Sequence, residues 1–106
     1  MSEAIGAMRA RVALQSPQRV ADEIGGAAIV WSDEGDAWAR IEARAAVERA
    51  TFDGLGSEAT FRVELHRREG VRGGWRLVWG ERVLRIVGVV DDGGARIELA
   101  CVEERL

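Results

Sequence analysis

The sequence predicts a mainly all-β fold: a small β-barrel of about six to seven short antiparallel strands with a central loop or short-helix insertion. Three observations point that way. Apolar and polar residues alternate in run after run, as in Phe61, Val63 and Leu65 against Arg62, Glu64 and His66. Glycine punctuation separates the runs, at Gly25-Gly26, Gly73-Gly74, Gly80 and Gly93-Gly94. The chain has 106 residues, which allows one domain over 1–106 with one modest core.

Residues 1–10 read as an arm or short helical turn, with Ile5 and Met8 three apart. Arg11 to Gln15 alternates, with Val12 and Leu14 on one face, and reads as the first strand. Pro17 is expected to end it, because proline cannot donate to a ladder. Residues 16–26 then form a loop, and Ala27 to Trp31 a second strand. Ser32 to Asp36 reads as a turn, and Ala37 to Glu42 as a third strand. From Ala43 to Phe52 helix formers predominate. Asp53 to Ser57 is a glycine-rich link. This stretch without strand pattern is long for a small β domain, and such insertions are often where function sits.

After Thr60 the strand pattern is strong. Phe61 to His66 is followed by a loop, and then Trp75, Leu77 and Trp79 share one face. Gly80-Glu81 suits a two-residue type II′ hairpin. Val83 to Val90 is the next strand, with a bulge expected at Gly88. Asp91 to Gly94 is a turn, and Ile97, Leu99 and Cys101 mark the inner face of the last strand. Glu103-Glu104-Arg105 is a charged tail.

The composition, 47% hydrophobic and 31% charged, is that of a folded domain rather than a disordered tail. All basic residues are Arg, while Lys, Asn and Tyr are absent, the mark of a GC-rich coding genome. Acids and Arg are interspersed at a net charge of −3, with no basic stripe to grip nucleic-acid phosphates. Cys101 is the single cysteine, so no intrachain disulfide can form. No apolar run approaches the roughly 20 residues of a membrane helix, and Met1 to Arg11 does not resemble a signal peptide. The expected location is the bacterial cytoplasm, or an assembly built there.

No catalytic constellation emerges. His66 lies on the polar face of a strand with no second ligand near it, which argues against zinc. Cys101 falls on an apolar face, where a cysteine is a small buried hydrophobe. A Cys101–His66 dyad would need both on one face. Gly54-Leu55-Gly56-Ser57-Glu58-Ala59 matches a loose G-x-G-x-x-A pattern, but the flanking order of helix and strand is wrong for a dinucleotide fingerprint. Asp33, Glu34 and Asp36 lack EF-hand spacing and read as a solvated turn, as do Asp91-Asp92. No catalytic, metal or cofactor site is therefore expected, and no cofactor. Trp75 and Trp79 are expected in the core. Trp31 and Trp38, expected on either side of a hairpin turn, are the candidate subunit-interface residues.

The ordered set of segments resembles a known family. Arg11-Val12-Ala13-Leu14-Gln15 precedes Gly25-Gly26 and Trp31, then Ala37-Trp38-Ala39-Arg40-Ile41-Glu42. Thr60-Phe61-Arg62-Val63, Gly80 to Ile86, Asp91-Asp92 and Ile97 to Glu103 follow. Over about residues 9–104 this is similar to the head–tail joining, or head-closure (stopper), proteins of long-tailed phages and phage-derived gene transfer agents. Family members often carry proline where Ala43 stands and a tyrosine near Leu65 to Arg67; neither position bears chemistry.

The resemblance implies a structural protein of the particle neck that is not an enzyme. It implies a β-barrel in a six-fold ring of identical copies. The head side would meet the adaptor and portal ring, and the tail side the tail terminator. Packaged double-stranded DNA would pass through the channel without sequence-specific binding, and no membrane is involved. The insertion, residues 44–58, would be the channel gate, with Phe52 and Leu55 packing between copies, Asp53 and Gly54 bending, and Glu58 adding negative charge. An acidic lining would repel phosphates and leave the duplex free to slide.

Two other classes compete. A small barrel could bind single-stranded nucleic acid by stacking bases on Trp beside Arg, which predicts salt-sensitive binding. An enzyme using Cys101 or the Glu64–Glu98 pair predicts a pocket with a strongly shifted pKa. A tail terminator or another neck protein of similar fold is the structural alternative.

Overall fold

Side-chain alternation decides which face each strand turns inward, and the inward sets meet in one core. The computed structural model describes residues 9–44 and 59–104. These residues form six strands: β1 (Ala10–Ala21), β2 (Ala27–Arg44), β3 (Thr60–His66), β4 (Arg76–Trp79), β5 (Arg82–Val90) and β6 (Arg96–Glu104). All pairings are antiparallel, and the sheet closes on itself in the order β1-β2-β3-β6-β5-β4. No helix occurs among the described residues.

The predicted inward residues are the buried ones. Val12 and Leu14 of β1, Phe61, Val63 and Leu65 of β3, and Leu77 of β4 line the core. Leu84 and Ile86 of β5 meet them, with Ile97, Leu99 and Cys101 of β6. β2 adds only Ala39 as a fully buried residue, with Ala37 and Ile41 packed at the margin. Each fully buried large aliphatic contributes about 1.5–3 kcal/mol by leaving water. β4 has four residues, yet it closes the ring by pairing β1 over Ala13, Leu14 and Gln15 and β5 over Arg82 to Arg85. Trp75, just before β4, is buried against Gly70. Trp79 packs at the core margin, edge-on to Phe61 at 6.3 Å.

Two turns follow their sequence signals. Gly80-Glu81 joins β4 to β5 with Gly80 at φ +62°, and Glu81 keeps a negative φ, as a type II′ turn requires. The β5–β6 register gains a residue between Ile86 and Gly88, so the expected bulge is present.

Three expectations are corrected. Pro17 does not end the first strand; it pairs opposite Trp31 within β1. Beyond Gln15 β1 pairs, among the described residues, with β2 only, so Pro17 sits on an edge where a missing donor is tolerated. Ser16 to Ala21 is accordingly strand rather than loop, and the turn narrows to residues 22–26. Asp22 secures that turn by accepting from the Ile24 and Gly26 amides at 3.0 and 2.8 Å.

Ser32 to Asp36 is not a turn. β2 runs without a break through all 18 of its residues. Ala13 pairs with Asp36 but Gln15 pairs with Asp33, so β2 holds one extra residue there. This is a bulge, with Gly35 at φ +100° and its amide donating to Asp33 Oδ1 at 3.0 Å. The second and third expected strands are therefore one. The expected helix at 43–52 is also revised in part: Ala43 and Arg44 belong to β2, and residues 45–52 lie outside the described residues. Of the arm or turn expected over residues 1–10, Ala10 belongs to β1 and residues 1–8 lie outside the described residues.

Candidate assembly surfaces

β1 and β2 outrun the closed part of the sheet. From Pro17 to Ala21 and from Ala27 to Trp31 these strands pair, among the described residues, only with each other, forming a two-stranded arm. The register puts Gln18, Val20, Ala28 and Val30 on the continuation of the inner face. Pro17, Arg19, Ile29 and Trp31 fall on the outer face. With no strand among the described residues opposite, Val20, Ile29 and Val30 are about half exposed and Ile24 at the tip is 92% exposed. A two-stranded ribbon is marginal alone, so this one draws on the barrel at its base. There, Ser16 is buried and donates to Glu34 at 2.5 Å, while Gln18 donates to Ser16 at 3.1 Å.

Trp31 and Trp38 stand seven positions apart on β2, which plain alternation would put on opposite faces. The bulge adds one residue and returns both to the outer face, opposite Pro17 and Arg11. Neither is in the core. Trp31 is half-buried beneath the Arg76 guanidinium, 4.1 Å from its ring centre, and Arg76 also donates to Gln15 at 2.6 Å. Trp38 is 52% exposed, with Arg11 at 5.9 Å and Arg11 in turn paired to Asp36 at 3.2 Å. Their expected hairpin-turn setting is replaced by one continuous strand.

The outer face of β2, β3 and β6 carries a lattice of charges. Arg62 lies 2.8 Å from Glu98 and 3.8 Å from Glu42, Arg40 lies 2.9 Å from Glu42, and Arg96 lies 3.5 Å from Glu64. Glu98 raises the Arg62 pKa further, first through their hydrogen bond. Glu64 and Glu98 do face each other across the ladder. They sit on a sheet face among arginines, each with its own cation, and not as an acid–base pair in a pocket.

Cys101 is buried opposite Phe61, and desolvation pushes its thiol up to about 12. His66 is exposed on the other face of β3, five ladder positions away, or roughly 16 Å at the strand rise. The two do not form a dyad. Asp33, Glu34 and Asp36 also diverge: to the Gly35 amide, to Ser16 and to Arg11. Among the described residues no group of three or more metal-ligating side chains comes together.

Beside the base of the arm, the ends of β3, β5 and β6 are tied together. Arg67 grips both Asp91 oxygens and donates to the Gly94 carbonyl at 2.7 Å. The Arg67 hydrogen bonds, then the Gly93 amide, hold the Asp91 carboxyl down at about 2. Arg68 donates to the Asp36 and Glu34 carbonyls at 2.7 and 2.9 Å, bracing the bulge. At the opposite end an open groove of about 490 Å³ runs past Arg9, Ala39, Ile41 and Trp79. The gate candidates Phe52, Asp53, Gly54, Leu55 and Glu58 lie outside the described residues.

The exposed apolar residues of the arm were not recognised from sequence. Ala27 to Trp31 reads simply as a strand, with Trp31 alone singled out as an interface candidate. The one available cue was that this apolar run lacks the strict alternation of β3 and β6.

Comparison with known proteins agrees with this architecture. No curated protein matches the chain. A chain from the virion of a native gene transfer agent particle matches with a TM-score of 0.73 and 25% identity, over 92% of this chain and 96% of that one. Protein SF1141 from Shigella flexneri 2a, known from a solution structure, matches with a TM-score of 0.69 and 27% identity, over 93% and 95% of the two chains. The family model for phage head completion proteins matches residues 4–104, nearly the whole sequence. The chain belongs to the phage head completion protein family.

Proposed function

We propose that this protein is a neck component of a phage or phage-like particle, joining the capsid portal side to the tail and closing the DNA channel after packaging. The observation that carries this reading is the match to a chain of the gene transfer agent virion along 92% of the sequence, within a family of head completion proteins. The chemistry is consistent with a structural role. The only cysteine is buried, and Glu64 and Glu98 are each spoken for by an arginine.

In this reading identical copies form a six-fold ring, using heterologous contacts in which one patch meets a different one. Trp38, exposed on the outer face, and the neighbouring Trp31 are the proposed contact residues. The adaptor ring lies on the head side and the tail terminator on the tail side, with double-stranded DNA passing through. The segment 44–58 is the proposed gate, where Asp53 and Glu58 repel phosphates. Cryo-electron microscopy of intact particles tests the placement: density for a closed six-stranded sheet belongs between head and tail, and its presence elsewhere rejects the neck. Replacing Asp53 and Glu58 by Arg should slow DNA ejection, and normal ejection would remove the gate from the account.

A further inference from the structure

β2 pairs with β3 only from Ala39 onward. From Ala27 to Trp38 its second edge carries no strand among the described residues. Proteins guard such edges with charges, prolines and bulges, because free amides and carbonyls invite another strand. The β1 side of the arm has such guards in Pro17 and Arg19. The β2 side has only the bulge at Asp33–Asp36. Between Gly25 and Ser32 it offers no charge and no proline, and Ile29 and Val30 are half exposed. Left bare, a strand of this composition is an aggregation site.

Charge selects the occupant. The neutral run is bracketed by Asp22 and Glu23 at the tip and by Asp33 and Glu34 at the base. None of these four acids forms a salt bridge with a described residue. Arg68, the cation at the base, gives its hydrogen bonds to backbone carbonyls. A second copy pairing by the same edge would set acids against acids in either strand direction, which is destabilising. We infer that the β2 edge over Ala27–Ser32 is a strand-addition site for an extended apolar segment of another protein that carries Arg or Lys at both ends. Backbone hydrogen bonds would supply affinity, and the two acidic brackets would supply selectivity and salt dependence. This inference stands apart from the neck reading, since it is measured on the purified chain.

The probes are two ten-residue peptides with an alternating Val-Thr centre, one flanked by Arg pairs and one by Asp pairs. Hydrogen exchange is read on the full chain. The expected result is protection of the outward amides of Ala27, Ile29 and Trp31 by the Arg-flanked peptide, with binding weakened by salt. The Asp-flanked peptide should bind at least about ten-fold less tightly. I29P should abolish binding by removing an outward amide, since the hydrogen-bonded Asp22–Gly26 pair and the register turn the Ile29 N–H away from β1. D22N/E23Q/D33N/E34Q should bind both peptides alike. Absent binding, equal binding of both peptides to the unaltered chain, or protection elsewhere overturns the proposal. So does concentration-dependent protection of Ala27–Ser32 without peptide, which would make a second copy the occupant.

Discussion

Asp91 shows how one surface residue ties the ends of three strands together. Its carboxylate takes both arms of Arg67, which follows β3, while the Arg67 Nε holds the Gly94 carbonyl ahead of β6. The bound carboxyl titrates near 2 rather than at its ordinary 3.8. A depressed folded-state pKa stabilises the fold above the ordinary value, and that contribution disappears as pH falls from 3.8 towards 2. Urea midpoints measured from pH 5 to pH 2 should therefore show unaltered protein more stable than D91N at pH 5, with the gap closing towards pH 2. A constant gap would mean that the carboxylate charge is not what matters. Cys101 is shifted the other way, because burial disfavours the thiolate. Its setting is that of a packing residue, as the apolar face of β6 indicated.

At the scale of elements, alternation was readable wherever both ends of a strand meet the core. Phe61/Val63/Leu65 and Ile97/Leu99/Cys101 are buried as their period of two requires. β2 was not readable, for a physical reason. Asp33-Glu34-Gly35-Asp36 has the composition of a turn, yet a bulge needs the same residues. The choice between them is made by pairing with β1, a non-local contact. Pro17 misled in the same way: its neighbour on one side is β2, and on the other it has no partner among the described residues. The candidate interface pair was nameable from sequence, but their shared face depends on the bulge.

Gly35 is the residue that permits that bulge. Its φ of +100° disfavours any side chain, and a Cβ there would lie 3.0 Å from the Arg68 guanidinium. Gly35→Ala should cost about 1–3 kcal/mol and alter the emission of the neighbouring tryptophans. Unchanged urea unfolding would show that the bulge tolerates another geometry.

At the scale of the whole molecule, the described residues make a small domain around one core. Closure of the sheet consumes most strand edges, and what remains free among the described residues is concentrated on the arm and its β2 flank. That distribution suits a part whose work is to be held between neighbours. Docking also adds interface area that a chain of this size cannot bury alone. Family membership and the likeness to a virion chain point the same way. The most direct test of the neck assignment is electron microscopy of particles from a host lacking this gene. The account predicts full-size heads without tails, many of them empty. Normal tailed particles would contradict it.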